Sequence, residues 1–227
     1  MTYAGGVATQ LIEGRELAVW PAGQPVDRWI EPTVYVARFA DAGAFQDRLR
    51  RTILDLAGRA QTGNQIDDGS IGSGKVYDVD KWGCPAASLI DARARFLFSI
   101  ATKRREVVAD LSWASIYRSG DYCMPHSHPR TTASVLYVVD LGDGGDPSNG
   151  QFCFADPRMA ACCREQPGCM STPCAPELAP GTMLLFPGQA VHFVTVYRGA
   201  RPRITMSWNL NHAALGGEAI PYAVNRL

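Results

Sequence analysis

The sequence predicts a mainly β protein with flanking helices, its core a sandwich or barrel of the jelly-roll type. Three observations lead there. Past Val107 the chain breaks into short runs of β-branched, aromatic and other apolar residues, each bounded by Gly, Pro, Asn, Asp or Ser. Two stretches upstream carry helical spacing instead. Over 227 residues, 46% hydrophobic and 19% charged positions supply one packed interior with no signature of disorder.

The elements follow in order. Pro21, Pro25 and Pro32 interrupt any early helix, and Glu16 to Trp20 is a candidate short strand. Thr33 to Phe39 reads as a strand. Behind Asp41 as a candidate N-cap, Phe45, Leu49, Ile53 and Leu56 recur at helical spacing up to Gly58. Gln61 to Gly74 has the composition of a surface loop, a connector or a cover over a site. A second helix runs from Pro85 to Lys103, with Pro in its first turn and Leu89, Ile90, Phe96, Leu97 and Ile100 as its apolar face. Then come strands: Leu111, Trp113, Ser115 and Tyr117 on one face, followed by Thr132 to Asp140, Gln151 to Ala155, Met183 to Phe186, Val191 to Tyr197 and Arg203 to Leu210. Many short strands with Gly and Pro turns give a jelly roll with the helices packed outside one sheet. One domain is expected over 1–227, with N-terminal strands and supporting helices in 1–106 and the jelly-roll core in 107–212.

Charge narrows the partners. Lys plus Arg and Asp plus Glu are both 22, so no electrostatic footprint for nucleic acid or an anionic membrane is expected. No apolar run reaches the roughly 18 residues of a membrane helix, and Met1 to Gly14 lacks the pattern of an export signal. A cytoplasmic monomer or homodimer acting on a small molecule is the expectation. The seven cysteines then read as thiols, a metal site or redox groups before a disulfide framework.

With only four histidines, their placement carries weight. His126 and His128 stand two apart in DYCMPHSHPR, and in extended backbone residues i and i+2 point to one side. Both imidazoles can then meet one metal ion, although His-x-His alone is also a pattern of surface or core histidines. His192, in VHFVTVY, could close a three-ligand site from the opposite wall. Imidazole suits iron, zinc, copper and nickel, so the ligands do not choose the metal. Arg203-Ile-Thr205 puts a guanidinium and a hydroxyl on one strand face, suited to gripping a carboxylate.

The runs WASIYRSGDYCMPHSHPRTTASVLYVVD (113–140), GQFCFADPR (150–158) and PGTMLLFPGQAVHFVTVYRGARPRITMSWNL (180–210) resemble a small bacterial and phage group of 2-oxoglutarate/Fe(II)-dependent oxygenases. The resemblance covers roughly the C-terminal half. It implies a double-stranded β-helix (jelly-roll, cupin-like) core and an oxidoreductase using Fe(II), 2-oxoglutarate and O2. The expected reaction is hydroxylation or other C–H oxidation of an amino acid or natural-product intermediate, with release of succinate and CO2. Carried over by position, His126 and His192 are metal ligands, and Arg203 with Thr205 binds the distal carboxylate of 2-oxoglutarate. His128 stands where the wider superfamily has a carboxylate. Either it ligates, making a three-His site, or water, Asp121 or substrate fills that place.

Other residues are weighed beside these. Tyr117, Tyr137, Trp208 and Asn209 lie on barrel strands, and of them Tyr117 is assigned to cosubstrate binding. Arg130 reads as an exposed residue and His212 as surface or supporting. Cys162, Cys163, Cys169 and Cys174 crowd a Pro/Gly-rich insertion at a spacing unlike a zinc knuckle or ribbon, leaving incidental thiols, a structural metal or redox chemistry open. Two other functions compete with the oxygenase: a three-His cupin-type dioxygenase that does not use 2-oxoglutarate, and a non-enzymatic metal-binding jelly-roll module.

Overall fold

A computed structural model describes residues 8–28, 33–59, 72–128, 130–144, 148–156, 158–159, 162 and 174–212. In chain order the elements are β1 (Thr9–Ile12), β2 (Arg15–Ala18), β3 (Val26–Arg28), β4 (Tyr35–Arg38), α1 (Gln46–Arg59), β5 (Gly74–Tyr77) and α2 (Pro85–Thr102). They continue with β6 (Val107–Tyr117), β7 (Cys123–His126), β8 (Ala133–Asp140), β9 (Phe152–Phe154), β10 (Thr182–Pro187), β11 (His192–Val194) and β12 (Arg203–His212). Among the described residues a seven-stranded sheet runs β3-β4-β10-β8-β12-β6-β5, and a second sheet runs β7-β11-β9. Every pairing is antiparallel. Strands 6, 8, 10 and 12 share one sheet while 7, 9 and 11 form the other, which is the alternation of a jelly roll.

Period-two alternation makes the large sheet two-faced. On β12, Ile204, Met206, Trp208 and Leu210 pack outward into a core shared with Leu49 and Ile53 of α1 and with Leu89, Ile90, Leu97 and Phe98 of α2. The intervening Arg203, Thr205, Ser207 and Asn209 face the small sheet. Leu136, Val138, Leu184 and Phe186 from the large sheet meet Phe152, Phe154 and Val194 from the small one in a second core. Each fully buried Leu, Ile or Phe contributes about 1.5–3 kcal/mol, so the helix layer and the inter-sheet layer both hold the large sheet rigid.

The structure departs from the sequence reading at several points. Asp41 does not cap α1 with its side chain. Its carboxylate accepts from Arg93 instead, at 2.9 Å to Oδ1, while the same guanidinium donates to the Ala18 and Val19 carbonyls. Arg93 is fully buried in the core face of α2, a position that a hydrophobic pattern assigns to an apolar residue. Phe96 and Ile100, expected on the buried face, are 39% exposed. They lie at the flank of the stripe, where Phe96 packs on Trp20 at 4.9 Å rather than on the sheet. Strands β1, β3 and β5 carry no strand signal in the sequence, and β3 to β5 extend the large sheet with residues from the N-terminal half. Most of the Gln61–Gly74 segment lies outside the described residues. Among those described, no helix is long and apolar enough to cross a membrane.

Candidate metal centre and anion site

The small sheet brings two histidines face to face. In the β7–β11 pairing His126 is the direct partner of His192. His128, two residues beyond, is fixed by its own backbone: its N–H donates to the Gly188 carbonyl at 2.6 Å, and its carbonyl accepts from Thr131 N–H at 3.1 Å. The ring centroids of His126 and His192 are 4.3 Å apart, and His128 lies 5.1 Å and 5.2 Å from them. One nitrogen from each ring falls within 4.8 Å of the others, which is a group that could hold a metal ion.

Backbone carbonyls set two of the tautomers. Nδ1 of His126 is 2.8 Å from the Met124 carbonyl and Nδ1 of His192 is 2.9 Å from that of Ala190. A carbonyl only accepts, so Nδ1 carries the proton and Nε2 presents its lone pair. His128 differs, since its Nδ1 lies 3.3 Å from the Asn209 amide nitrogen while the Asn209 oxygen accepts from Ser134 Oγ at 3.2 Å. In that amide orientation the proton sits on His128 Nε2. With the amide turned over, Nδ1–H donates to the Asn209 oxygen and Nε2 is free as in the other two rings. Burial pushes all three pKa values down, aided for His128 and His192 by the neighbouring rings and for His126 and His128 by Lys75. His128 falls to about 4 and His192 well below its ordinary value. The three imidazoles are therefore neutral near pH 7, the state a metal requires.

The histidines line a cleft between the two sheets. Its other wall is the inward face of β6 and β12, with Trp113, Ser115, Tyr117, Thr205 and Ser207. Tyr117 is buried, bonded to the Ser73 side chain, and has its phenol pKa raised by burial. Arg203 borders the adjoining cleft beside Gly150, Gln151 and Glu177, and Phe152 lines both spaces. Its guanidinium lies 5.0 Å from the Tyr117 ring centroid. It is 1% exposed, and none of its three nitrogens has a hydrogen-bond partner among the described residues. An unpaired buried cation is strongly destabilising, so this pocket calls for an anion.

Of the residues singled out in sequence, His126, His128, His192, Tyr117 and Thr205 line one cleft and Arg203 the next. Asn209 meets His128. Tyr137 and Trp208 point the other way, into the helix layer, where the Tyr137 hydroxyl donates to Gln46 Oε1 at 3.0 Å and Trp208 Nε1 donates to Asp91 Oδ1 at 2.8 Å. Arg130 is exposed, and His212 packs beside Phe98 at 5.3 Å. Cys162 is buried in the inter-sheet core with Sγ 3.3 Å from the Phe154 carbonyl, and Cys174 bridges to Phe154 through the backbone. Burial and the neighbouring Cys174 and Cys162 push the Cys153 thiol up to about 11, away from thiolate reactivity. Cys163 and Cys169 lie outside the described residues.

Lys75 was missed. It stands on β5 opposite Ser115 in register and reaches into the histidine cleft. Nothing in Gly74-Lys-Val-Tyr77 marks it, because the strand is four residues long and follows a segment of loop composition.

Residues 111–209 match a family profile described as "Putative 2OG-Fe(II) oxygenase". A search of curated protein sequences returns no match. Among solved structures the chain is similar to the non-heme alpha-ketoglutarate-dependent carbocyclase SnoK from nogalamycin biosynthesis, at 8% identity and a TM-score of 0.61, covering 78% of each chain. It is also similar to a prolyl hydroxylase from Trichoplax adhaerens, at 15% identity, a TM-score of 0.56 and coverage of 73% of this chain and 78% of the other. EctD from S. alaskensis matches at 17% identity and a TM-score of 0.55, over 79% of this chain and 72% of that one. Such distant likenesses establish the jelly-roll fold, and the profile match spans the strands from β6 to β12 that build both clefts. Residues 111–209, the segment that builds both clefts, are thus similar to the 2-oxoglutarate/Fe(II)-dependent oxygenases, and the chain shares the fold of such enzymes.

Proposed function

We propose that the protein oxidises a C–H bond of a small molecule, most simply by hydroxylation, with His126, His128 and His192 holding the ferrous ion and Arg203 with Thr205 holding 2-oxoglutarate. The residues fit these groups. Three neutral imidazoles on one side of a cleft suit a divalent first-row metal and leave further positions open. The observation that carries the cosubstrate is Arg203, whose buried guanidinium, without a hydrogen-bond partner among the described residues, matches a carboxylate. A structural metal module has no use for such a cation, and a three-His dioxygenase would use it only for a carboxylate on its own substrate.

Bound together, iron, 2-oxoglutarate and O2 supply the oxidising power, so that the net reaction converts C–H to C–OH and yields succinate and CO2. The chain's own part is positioning. The Met124 and Ala190 carbonyls hold His126 and His192 in the ligating tautomer, so neither ring loses a proton on binding metal. Arg203 orients one end of the cosubstrate, and Tyr117 with Phe152 forms an apolar wall that keeps water from the guanidinium. The remaining cleft, lined by Trp113, Ser115, Ser207 and Lys75, receives the substrate.

Anaerobic addition of 2-oxoglutarate to the Fe(II)-loaded protein should produce a visible metal-to-ligand absorption band, and admission of O2 should release succinate. Iron binding without the band would return the three-His dioxygenase to the lead.

A further inference from the structure

We infer that the substrate carries a carboxylate, which Lys75 binds with help from the Ser115 hydroxyl. The inference rests on the oxygenase reading above, because it assigns the space left beside iron and 2-oxoglutarate. Lys75 reaches the histidine cleft from the edge strand β5. Its Nζ is 3.4 Å from Ser115 Oγ, a long contact to a neutral group, and 5.4 Å from the Trp113 ring centroid. Trp113 Nε1 already donates to the same Ser115 oxygen at 3.1 Å, so the hydroxyl proton is free to point into the cleft. Among the described residues, no Asp or Glu lines the cleft and no ion pair includes Lys75.

A lysine tip drawn from solvent into a cleft without a counter-charge is unfavourable unless a ligand provides one. The neighbouring chemistry points the same way. With three neutral imidazoles in place of a set containing a carboxylate, iron, 2-oxoglutarate, Arg203 and Lys75 leave the loaded site with surplus positive charge. An anionic substrate offsets it. The ammonium and the hydroxyl together offer two donors on one side of the Trp113 ring, a match for the two oxygens of a carboxylate.

The test uses protein loaded with Zn(II), which does not react with O2, and saturated with 2-oxoglutarate so that Arg203 and the metal are taken. Acetate, benzoate and N-acetylglycine are titrated against their amides by calorimetry at millimolar concentration, into wild type, Lys75→Met and Lys75→Arg. At least one acid should bind wild type about tenfold or more tighter than its amide, as a charge-assisted hydrogen bond predicts. That preference should persist in Lys75→Arg and vanish in Lys75→Met, with the amide's affinity unchanged. Equal binding of acid and amide, no binding of any acid, or a preference that survives in Lys75→Met overturns the inference. The 2-oxoglutarate band of the Fe(II) protein is read in parallel. Its presence without acid preference sinks only the Lys75 assignment, whereas its absence sinks the oxygenase reading itself.

Discussion

The guanidinium of Arg203 lies 5.0 Å from the centroid of the Tyr117 ring, sealed from solvent, with all three nitrogens lacking a hydrogen-bond partner among the described residues. The two residues are direct partners across β12 and β6. A ring face offers a cation some attraction, but far less than the water it replaces. Such a buried guanidinium costs stability until a ligand pairs with it.

Replacing Arg203 with Met should separate those two effects. Affinity for 2-oxoglutarate should fall about a hundredfold with loss of a bidentate charged pair. In the absence of 2-oxoglutarate the variant should melt no lower than wild type, since it removes a buried unpaired charge. Calorimetric titration and thermal unfolding measure the two. A variant that binds 2-oxoglutarate like wild type would remove Arg203 from the cosubstrate site.

The three histidines should not respond alike. His126→Ala and His192→Ala should lose stoichiometric iron, measured by metal analysis after anaerobic loading. His128→Ala should bind iron about 10- to 100-fold more weakly, and His128→Asp should restore it by supplying a carboxylate at the same place. Iron held by His128→Ala as tightly as by wild type would hand that position to water, Asp121 or substrate.

Gly188 should prove indispensable to the metal site. A Cβ there would come within 2.1 Å of the Thr131 carbonyl oxygen and 2.8 Å of that of His128, so Gly188→Ala must push the His128 loop away from β10. Destabilisation of about 1–3 kcal/mol is expected from such overpacking, together with weaker iron binding under conditions where circular dichroism shows the fold intact. Unchanged iron affinity would mean that the loop does not position a ligand.

Asp156 anchors the start of the His192 strand through a carboxylate that accepts from Val191 N–H at 3.2 Å and from the Arg158 side chain at 2.8 Å. Arg158 bonding holds its pKa down to about 2. A depressed carboxylate stabilises fully above its unfolded value near 4 and loses that contribution as pH falls through about 2. Asp156→Asn should therefore be less stable than wild type by about 1–2 kcal/mol at neutral pH, an amount discounted because Arg158 is 57% exposed. The gap in urea midpoints should close between roughly pH 4 and pH 2. A gap independent of pH would show that the hydrogen bond to Val191, rather than the charge, does the anchoring.

Much of this was legible in the chain. The β6, β8, β10 and β12 runs showed their strands through β-branched and aromatic content, and the alternation Arg203, Thr205, Ser207, Asn209 against Ile204, Met206, Trp208, Leu210 already separated site from core. The same alternation decides Tyr137 and Trp208, which the sequence left beside Tyr117 as candidates and the structure turns into the helix layer. Arg93 could not be foreseen, because its partners Ala18, Val19 and Asp41 lie more than fifty residues away.

By itself the sequence determined the local quantities: strand and helix periods, the two-residue spacing of His126 and His128, and the shared face of Arg203 and Thr205. Only the tertiary structure decided that His192 faces His126 across β7 and β11, that Arg203 has no hydrogen-bond partner among the described residues, and that Lys75 enters the same cleft from an edge strand. Strand periodicity is set by the backbone over a few residues, whereas register, desolvation and the absence of a counter-charge depend on groups brought together from distant parts of the chain.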